Sequence, residues 1–179
     1  FFCVTIILSY LRGNDMQIQP MKLEDIEQVV AMENKTWDNF NTPASLPAAN
    51  KHKIIQAFQN HSHYLVAEEN GVILGVLDYH AYYPFSSARH VVTFIVAVDN
   101  DTQGQGIGHS LIWAFFAMAK ADNYKKIVIH VLSSNDRACS FYENIGFTLE
   151  ATLKKQFYLN GTYVDDLMYS YYLEEIHAK

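Results

Sequence analysis

Apolar and polar positions change period several times along the chain, and each change predicts an element. Met16 to Met21 (MQIQPM) alternates and predicts a strand. Lys22 to Trp37 carries Leu23, Ile26, Val29, Val30 and Met32 at mostly helical spacing and predicts a helix. Pro43 and Pro47 break the loop-like, aromatic stretch that follows, and Ala48 to Asn60, with Ile54, Ile55 and Phe58, predicts a second helix. Tyr64 to Glu68 reads as a short strand and Val72 to Tyr82 as its partner. Asn70-Gly71 between them is a hairpin signal, because both residues tolerate positive φ. Arg89 to Val98 (RHVVTFIVAV) is a long β-branched run and predicts a central strand. A glycine-rich loop then opens a helix running from Gly106 to Ala121. Lys126 to Leu132 (KIVIHVL) predicts a buried strand and Asn135 to Asn144 a short helix. Phe147 to Leu153 and Thr162 to Tyr172 predict two more strands, with Asn160-Gly161 as the turn. The order β-α-α-β-β-β-α-β-α-β-β predicts a mixed α/β sheet with helices on both faces, in a single domain over residues 16–179.

The first residues stand apart from this pattern. Phe1 to Leu11 is strongly apolar, yet it lacks the basic stretch and small-residue cleavage site of a signal peptide. It is also too short to cross a bilayer as a helix. Two readings of residues 1–15 stay open. They precede a natural start at Met16, or they supply an extra strand or an oligomer contact.

Composition narrows the partners. Half of the 179 residues are hydrophobic, 18% are charged and the formal net charge is −6. No run of Lys or Arg supplies the basic face that nucleic acid requires, so no nucleic-acid partner is predicted. No membrane partner is predicted either. Cys3 and Cys139 have no zinc-type spacing and the eight histidines no HExxH arrangement, so no metal is predicted. A reducing, cytoplasmic setting is the expectation for so few cysteines.

The most informative segment is Val96 to Phe116 (VAVDNDTQGQGIGHSLIWAFF). A buried strand ends at Val98, and Gln103-Gly104-Gln105-Gly106-Ile107-Gly108 opens an amphipathic helix. Glycines let the backbone approach a ligand closely, and the free N–H groups of a first helical turn attract anions. A pyrophosphate is the natural occupant. A plain tight βα turn would look the same in sequence. A dinucleotide fold would place such a loop on the first βα unit and end the next strand in an acidic residue, whereas here the next strand ends in Val131-Leu132-Ser133. No Gly-Lys-Ser/Thr follows, which excludes a P-loop.

Gln103 to Gly108 resembles the (Arg/Gln)-x-x-Gly-x-(Gly/Ala) acetyl-CoA loop of the GNAT N-acetyltransferase superfamily. Asn135 to Phe147 (NDRACSFYENIGF) is similar to that family's N-x-x-A-x-x-x-Y-x-x-x-G-F segment, and Asn160 to Met168 resembles the closing hairpin of bacterial members that acetylate amino acids or protein N-termini. The resemblance implies a mostly antiparallel sheet of six or seven strands, splayed at the fourth, with about four helices. It implies acetyl-CoA as co-substrate and an acetyl group transferred to a primary amine on a small molecule or a peptide N-terminus. Val96, Val98, Gln103, Gly104, Gln105, Gly106, Ile107, Gly108, His109, Asn135, Ala138 and Tyr142 are then the cofactor-binding positions. A non-catalytic coenzyme A sensor is the alternative.

Direct attack by the amine has physical requirements. The developing oxyanion needs a donor, for which the backbone N–H near Val98 is the family-like choice. The leaving thiolate needs a proton, and Tyr142 is placed to give it. The amine needs a base. Where many members carry a Glu on the fourth strand this chain has Val92, and His90, two residues away, is the candidate in its place. Trp37, Phe40, Tyr82, Tyr158 and Tyr163 are candidates to line the acceptor cleft, and the Tyr169 to Tyr172 strand is a candidate homodimer contact.

Overall fold

A computed structural model describes residues 16–173, and both readings of the 1–15 segment lie outside those residues. The described elements are β1 (Gln17–Pro20), α1 (Ile26–Thr36), α2 (Lys51–Gln59), β2 (His63–Glu69), β3 (Val72–Ala81), β4 (Val91–Val98), α3 (Ile107–Ala121), β5 (Lys126–Leu132), α4 (Asp136–Ile145), β6 (Thr148–Leu159) and β7 (Thr162–Tyr172). Among the described residues seven strands lie in the order β1-β2-β3-β4-β5-β7-β6. The β1–β2, β5–β7 and β6–β7 ladders are antiparallel, and β4–β5 is parallel. Both Asn-Gly turns form as the sequence predicts. Asn70 and Gly71 have φ of 53° and 80°, and Asn160 and Gly161 have 50° and 82°, the double positive φ of a tight hairpin.

Helices α1 and α2 start later than the predicted Lys22 and Ala48, and two strands depart from their predicted boundaries in ways that bear on the site. β4 starts at Val91, so Arg89 and His90 precede it. β6 runs to Leu159 instead of ending at Leu153. Its second half looks like a loop in sequence because Lys154, Lys155 and Gln156 are polar. A bulge carries them: the ladder shifts between Leu153 and Phe157, and Lys155 has φ of 54°. Asp165 of β7 holds the bulge, accepting from the Lys155 amide at 2.7 Å and from Lys154 Nζ at 2.8 Å.

The described residues divide into two compact units. One holds residues 16–36, 49–78 and 96–118. Its core is Val29, Val66, Val76, Leu77, Leu111, Ile112 and Phe115, all essentially inaccessible. Asn50 caps α2 by accepting from the Lys53 amide at 3.0 Å. Gln28 of α1 grips the β2–β3 hairpin, donating to the Gly71 carbonyl and accepting from the Ile73 amide, both at 3.2 Å.

The other unit holds residues 37–48, 79–95 and 119–173. There β5 is laddered to β7 from Lys126↔Tyr172 through Leu132↔Asp166, but to β4 only at Val91↔Lys126 and Val92↔Ile127. This short pairing agrees with the splay expected of the fourth strand. α4 packs through aromatic edges: Tyr142 lies 6.1 Å from Phe94 and 5.5 Å from Phe147, ring centre to ring centre. Tyr169 of β7 donates to Glu143 of α4 at 2.8 Å. β7 lies between β5 and β6, so its tyrosine run is no sheet edge. Within that run Tyr169 is 2% exposed and Tyr172 42% exposed.

Gly75 tests the packing of the first unit. A Cβ there would meet Leu111 Cδ1 at 3.0 Å, the Ala97 carbonyl oxygen at 3.1 Å and Ile107 Cγ2 at 3.1 Å. The missing side chain lets the first turns of α3 lie against β3. Gly75→Val should cost about 1–3 kcal/mol or more through overpacking. Thermal unfolding checks this, since a chain of this size loses about 2–4 °C per kcal/mol.

Candidate active site

Polar contacts in the first unit fix the backbone between β4 and α3. The Val98 carbonyl accepts from Thr36 Oγ1 at 3.4 Å and from Gln103 Nε2 at 3.3 Å. Gln103 also donates to Asn100 Oδ1 at 2.7 Å, and Asn100 donates to the Lys35 carbonyl at 2.9 Å. Lys35 Nζ bridges Asp99 at 3.2 Å and Asp101 at 2.6 Å, and these two carboxylates raise its pKa. Asp99 itself accepts from the Asp101 amide at 2.9 Å. The side chain of Gln103 thus braces the loop from within.

Gly104 and Gly106 have φ of 83° and 86°, a conformation that β-carbon-bearing residues rarely adopt. A Cβ built on either would meet nothing within 4 Å, so the backbone faces open space there. The amides of Gly104, Gln105, Gly106, Ile107 and Gly108 donate to nothing among the described residues. Five successive unpaired N–H groups at the positive end of a 15-residue helix suit a multiply charged anion. Gly108 and His109 belong to the first turn of α3. The Gly106 carbonyl is taken by the Ser110 amide and hydroxyl. Val96 and Val98 end β4, with Ala97 buried between them.

The second unit carries the other predicted positions. Asn135 is the N-cap of α4, its Oδ1 accepting from the Ala138 amide at 3.1 Å. The Asn135 Nδ2 donates to nothing among the described residues. One side chain therefore closes the helix and still presents two donors. Tyr142 lies two turns along α4, partly exposed, and its hydroxyl has no hydrogen bond among the described residues. Burial of the phenol pushes its pKa well above the ordinary tyrosine value. The group is held protonated, as a proton donor must be. Cys139, on the same helix, has its thiol pushed up, chiefly by burial, which disfavours the thiolate form.

His90 is not where the period-2 reading put it. It precedes β4, is exposed, and lines a polar pocket of about 550 Å³ with Ser86, Ser87, Arg89, Asp122, Asn123 and Lys125. Val92, inside the strand, is fully buried. The alternation that paired the two begins only at Val91. Phe40, Tyr158 and Tyr163 are 62–70% exposed, and Asn160 Nδ2 ties the β6–β7 hairpin to the Asn39 carbonyl at 3.0 Å. Sequence reasoning gave no role to His130 or Asp166, which the fold joins to Tyr82 by hydrogen bonds. Strand alternation marks neither as unusual. Among the described residues no group of His, Cys, Asp or Glu could hold a metal ion, and no helix is long and apolar enough to cross a membrane.

The model of the acetyltransferase (GNAT) family matches residues 26–147. The smu.2055 protein of Streptococcus mutans UA159 has the same fold at a TM-score of 0.85 and 55% identity, covering 88% of this chain and 99% of that one. YncA of Salmonella typhimurium, solved with its cofactor acetyl-CoA, superposes at a TM-score of 0.78 and 21% identity over 92% of this chain and 98% of that one. The L-amino acid N-acyltransferase MnaT of Escherichia coli is 30% identical over 89 residues, 50% of this chain and 52% of the relative. The matches to this relative and to the phosphinothricin N-acetyltransferase of Alcaligenes faecalis span about half of those proteins, 52% and 54% of their lengths.

The capping oxygen of Asn135 and its side-chain donors can be separated. Asn135→Ala should lose about 1 kcal/mol of stability with the cap. Asn135→Asp keeps an acceptor for the Ala138 amide, removes both side-chain donors, and should melt close to the unsubstituted protein. Calorimetric unfolding of both variants checks this.

Proposed function

The chain belongs to the acetyltransferase (GNAT) family, and from that premise we propose that it transfers the acetyl group of acetyl-CoA to a primary amine by direct attack. The observation that carries this is the row of unpaired amides from Gly104 to Gly108, a cradle for a pyrophosphate. The acetyl-CoA in the YncA structure and the amino-acid substrate in the MnaT name support the same reading. The acceptor is the amino group of a small amino acid.

Each role then follows from a group in hand. The loop amides bind the pyrophosphate and so place the thioester. The Asn135 Nδ2 holds the acyl-carrying arm. The backbone N–H near Val98 stabilises the oxyanion as the carbonyl turns tetrahedral. Tyr142 gives its proton to the coenzyme A thiolate as the C–S bond breaks. Because its pKa is raised, the phenol remains protonated through neutral pH, and its loss of function comes only above the ordinary tyrosine value of about 10.

Two variants test this. Gly106→Val puts a side chain into the cradle at a left-handed φ and should sharply weaken acetyl-CoA binding in a folded protein. Unchanged affinity by calorimetry would overturn the cradle. Tyr142→Phe should lower kcat about ten- to a thousand-fold with acetyl-CoA affinity nearly intact, and should remove the alkaline limb of the rate profile. Thiol release from acetyl-CoA with a panel of amino acids is the assay. Tight binding without thiol release for any amine would point instead to a coenzyme A sensor.

A further inference from the structure

On the acetyl-transfer reading above, we propose that Tyr82, His130 and Asp166 form the relay that takes the proton from the acceptor amine. The three residues come from separate elements of the second unit. Asp166 lies on β7 and is 6% exposed, a placement that is costly for a carboxylate without a partner. Its partner is His130 on β5, whose Nδ1 stands 2.8 Å from the Asp166 Oδ2. The other ring nitrogen, Nε2, stands 2.8 Å from the Tyr82 hydroxyl, and the Tyr82 and His130 rings stack at 5.9 Å and 13°.

The chemistry of the partners fixes the direction of the chain. An ionised carboxylate only accepts, so Nδ1 carries the hydrogen and Nε2 offers a lone pair. The Tyr82 hydroxyl then donates to Nε2. Burial, foremost, raises the phenol pKa and keeps that hydrogen on oxygen at neutral pH. A second proton arriving at Tyr82 is answered by passing the first to His130. The resulting imidazolium sits against the Asp166 carboxylate. The other groups acting on Tyr82 are Tyr83, which hydrogen-bonds to it through the side chain and lies 4.6 Å away ring to ring, and Lys126, which is itself paired with Glu150 at 2.6 Å.

Position gives the relay its task. β5 leaves β4 after Ile127, and His130 is three residues further on. The Tyr82 amide donates to the Val91 carbonyl at 3.0 Å, so its side chain reaches from the edge of β4 to β5 where the two strands part. His130↔Met168 and Leu132↔Asp166 are ladder partners, which puts His130 and Asp166 on one face of the sheet. Tyr169, one residue along from Met168, faces the other way and meets Glu143 of α4. α4, with Tyr142, thus lies on one face of the opening and the relay on the opposite face. A thioester in that opening has the thiolate's proton donor on one side and a proton acceptor for the amine on the other.

The amine nitrogen bonds to the thioester carbon and the C–S bond breaks. The amine proton passes to the Tyr82 oxygen as the Tyr82 proton passes to His130 Nε2, and the thiolate takes the proton of Tyr142. Exchange with water resets Tyr142 and the partly exposed His130. Tyr82 is the group that meets the amine, and Asp166 is a positioning residue.

The test uses an amino acid that the unsubstituted protein acetylates. His130→Ala should lower kcat about 10²- to 10⁴-fold, as for loss of general acid–base assistance. Acetyl-CoA affinity should stay unchanged by calorimetry, and added imidazole should restore part of the rate. Tyr82→Phe should show the loss without the rescue. Asp166→Asn keeps the shape and an acceptor for Nδ1–H, and should lower kcat with KM held. A His130→Ala rate within about twofold of the unsubstituted protein overturns the relay. So does a loss that imidazole cannot rescue, accompanied by lowered melting in all three variants. If the unsubstituted protein binds acetyl-CoA but acetylates no amine, the acetyl-transfer reading fails first and the relay with it.

Discussion

Strand β5 can be laddered to both neighbours along its whole length or be open on one side, and in this chain it is open. It keeps β7 through seven positions and β4 through two. A parallel pair so short would be weak by itself, and the surrounding contacts hold it closed at one end. The His90 carbonyl accepts from the amides of Lys125 at 2.9 Å and Lys126 at 3.1 Å, and the Leu173 amide donates to the Lys125 carbonyl at 3.0 Å. Ile127, Val128 and Ile129 are buried, so burial stabilises β5 where backbone pairing with β4 has stopped. An opening of this kind exposes backbone to whatever lies between the strands, and the aromatic edge of Phe94, Tyr142 and Phe147 lies close by.

The glycine loop obeys the same logic with different means. Its outward-facing amides are free because its other polar groups are occupied. Thr36, Asn100 and Gln103 take up the Val98 and Lys35 carbonyls, and Asp99 takes the Asp101 amide. The exposed Lys35 ion pairs are of a kind that adds little stability, and their effect is to fix the chain's path into α3. Positive φ at Gly104 and Gly106 then aims the N–H groups outward. Asn135 repeats the pattern on a smaller scale, its oxygen spent on the helix and its nitrogen left over.

Much of this was legible in the sequence. The helices, the seven strands, both Asn-Gly turns, the loop and the Asn135–Tyr142 face all follow from short-range rules of period, capping and backbone freedom, which act between residues a few positions apart. Those rules failed where the decision was not local. The bulge in β6 depends on Asp165 across the hairpin, and the start of β4 depends on where its ladders begin. Whether Tyr169 to Tyr172 made an edge or an interior strand was settled by β6 lying outside it. The contact of Tyr82 with His130, 48 residues away, and of His130 with Asp166, 36 away, exists only once three elements are side by side. Period and composition carry no term for such distances, so the sequence determined the elements and the glycine-rich loop, and tertiary packing decided which titratable groups meet.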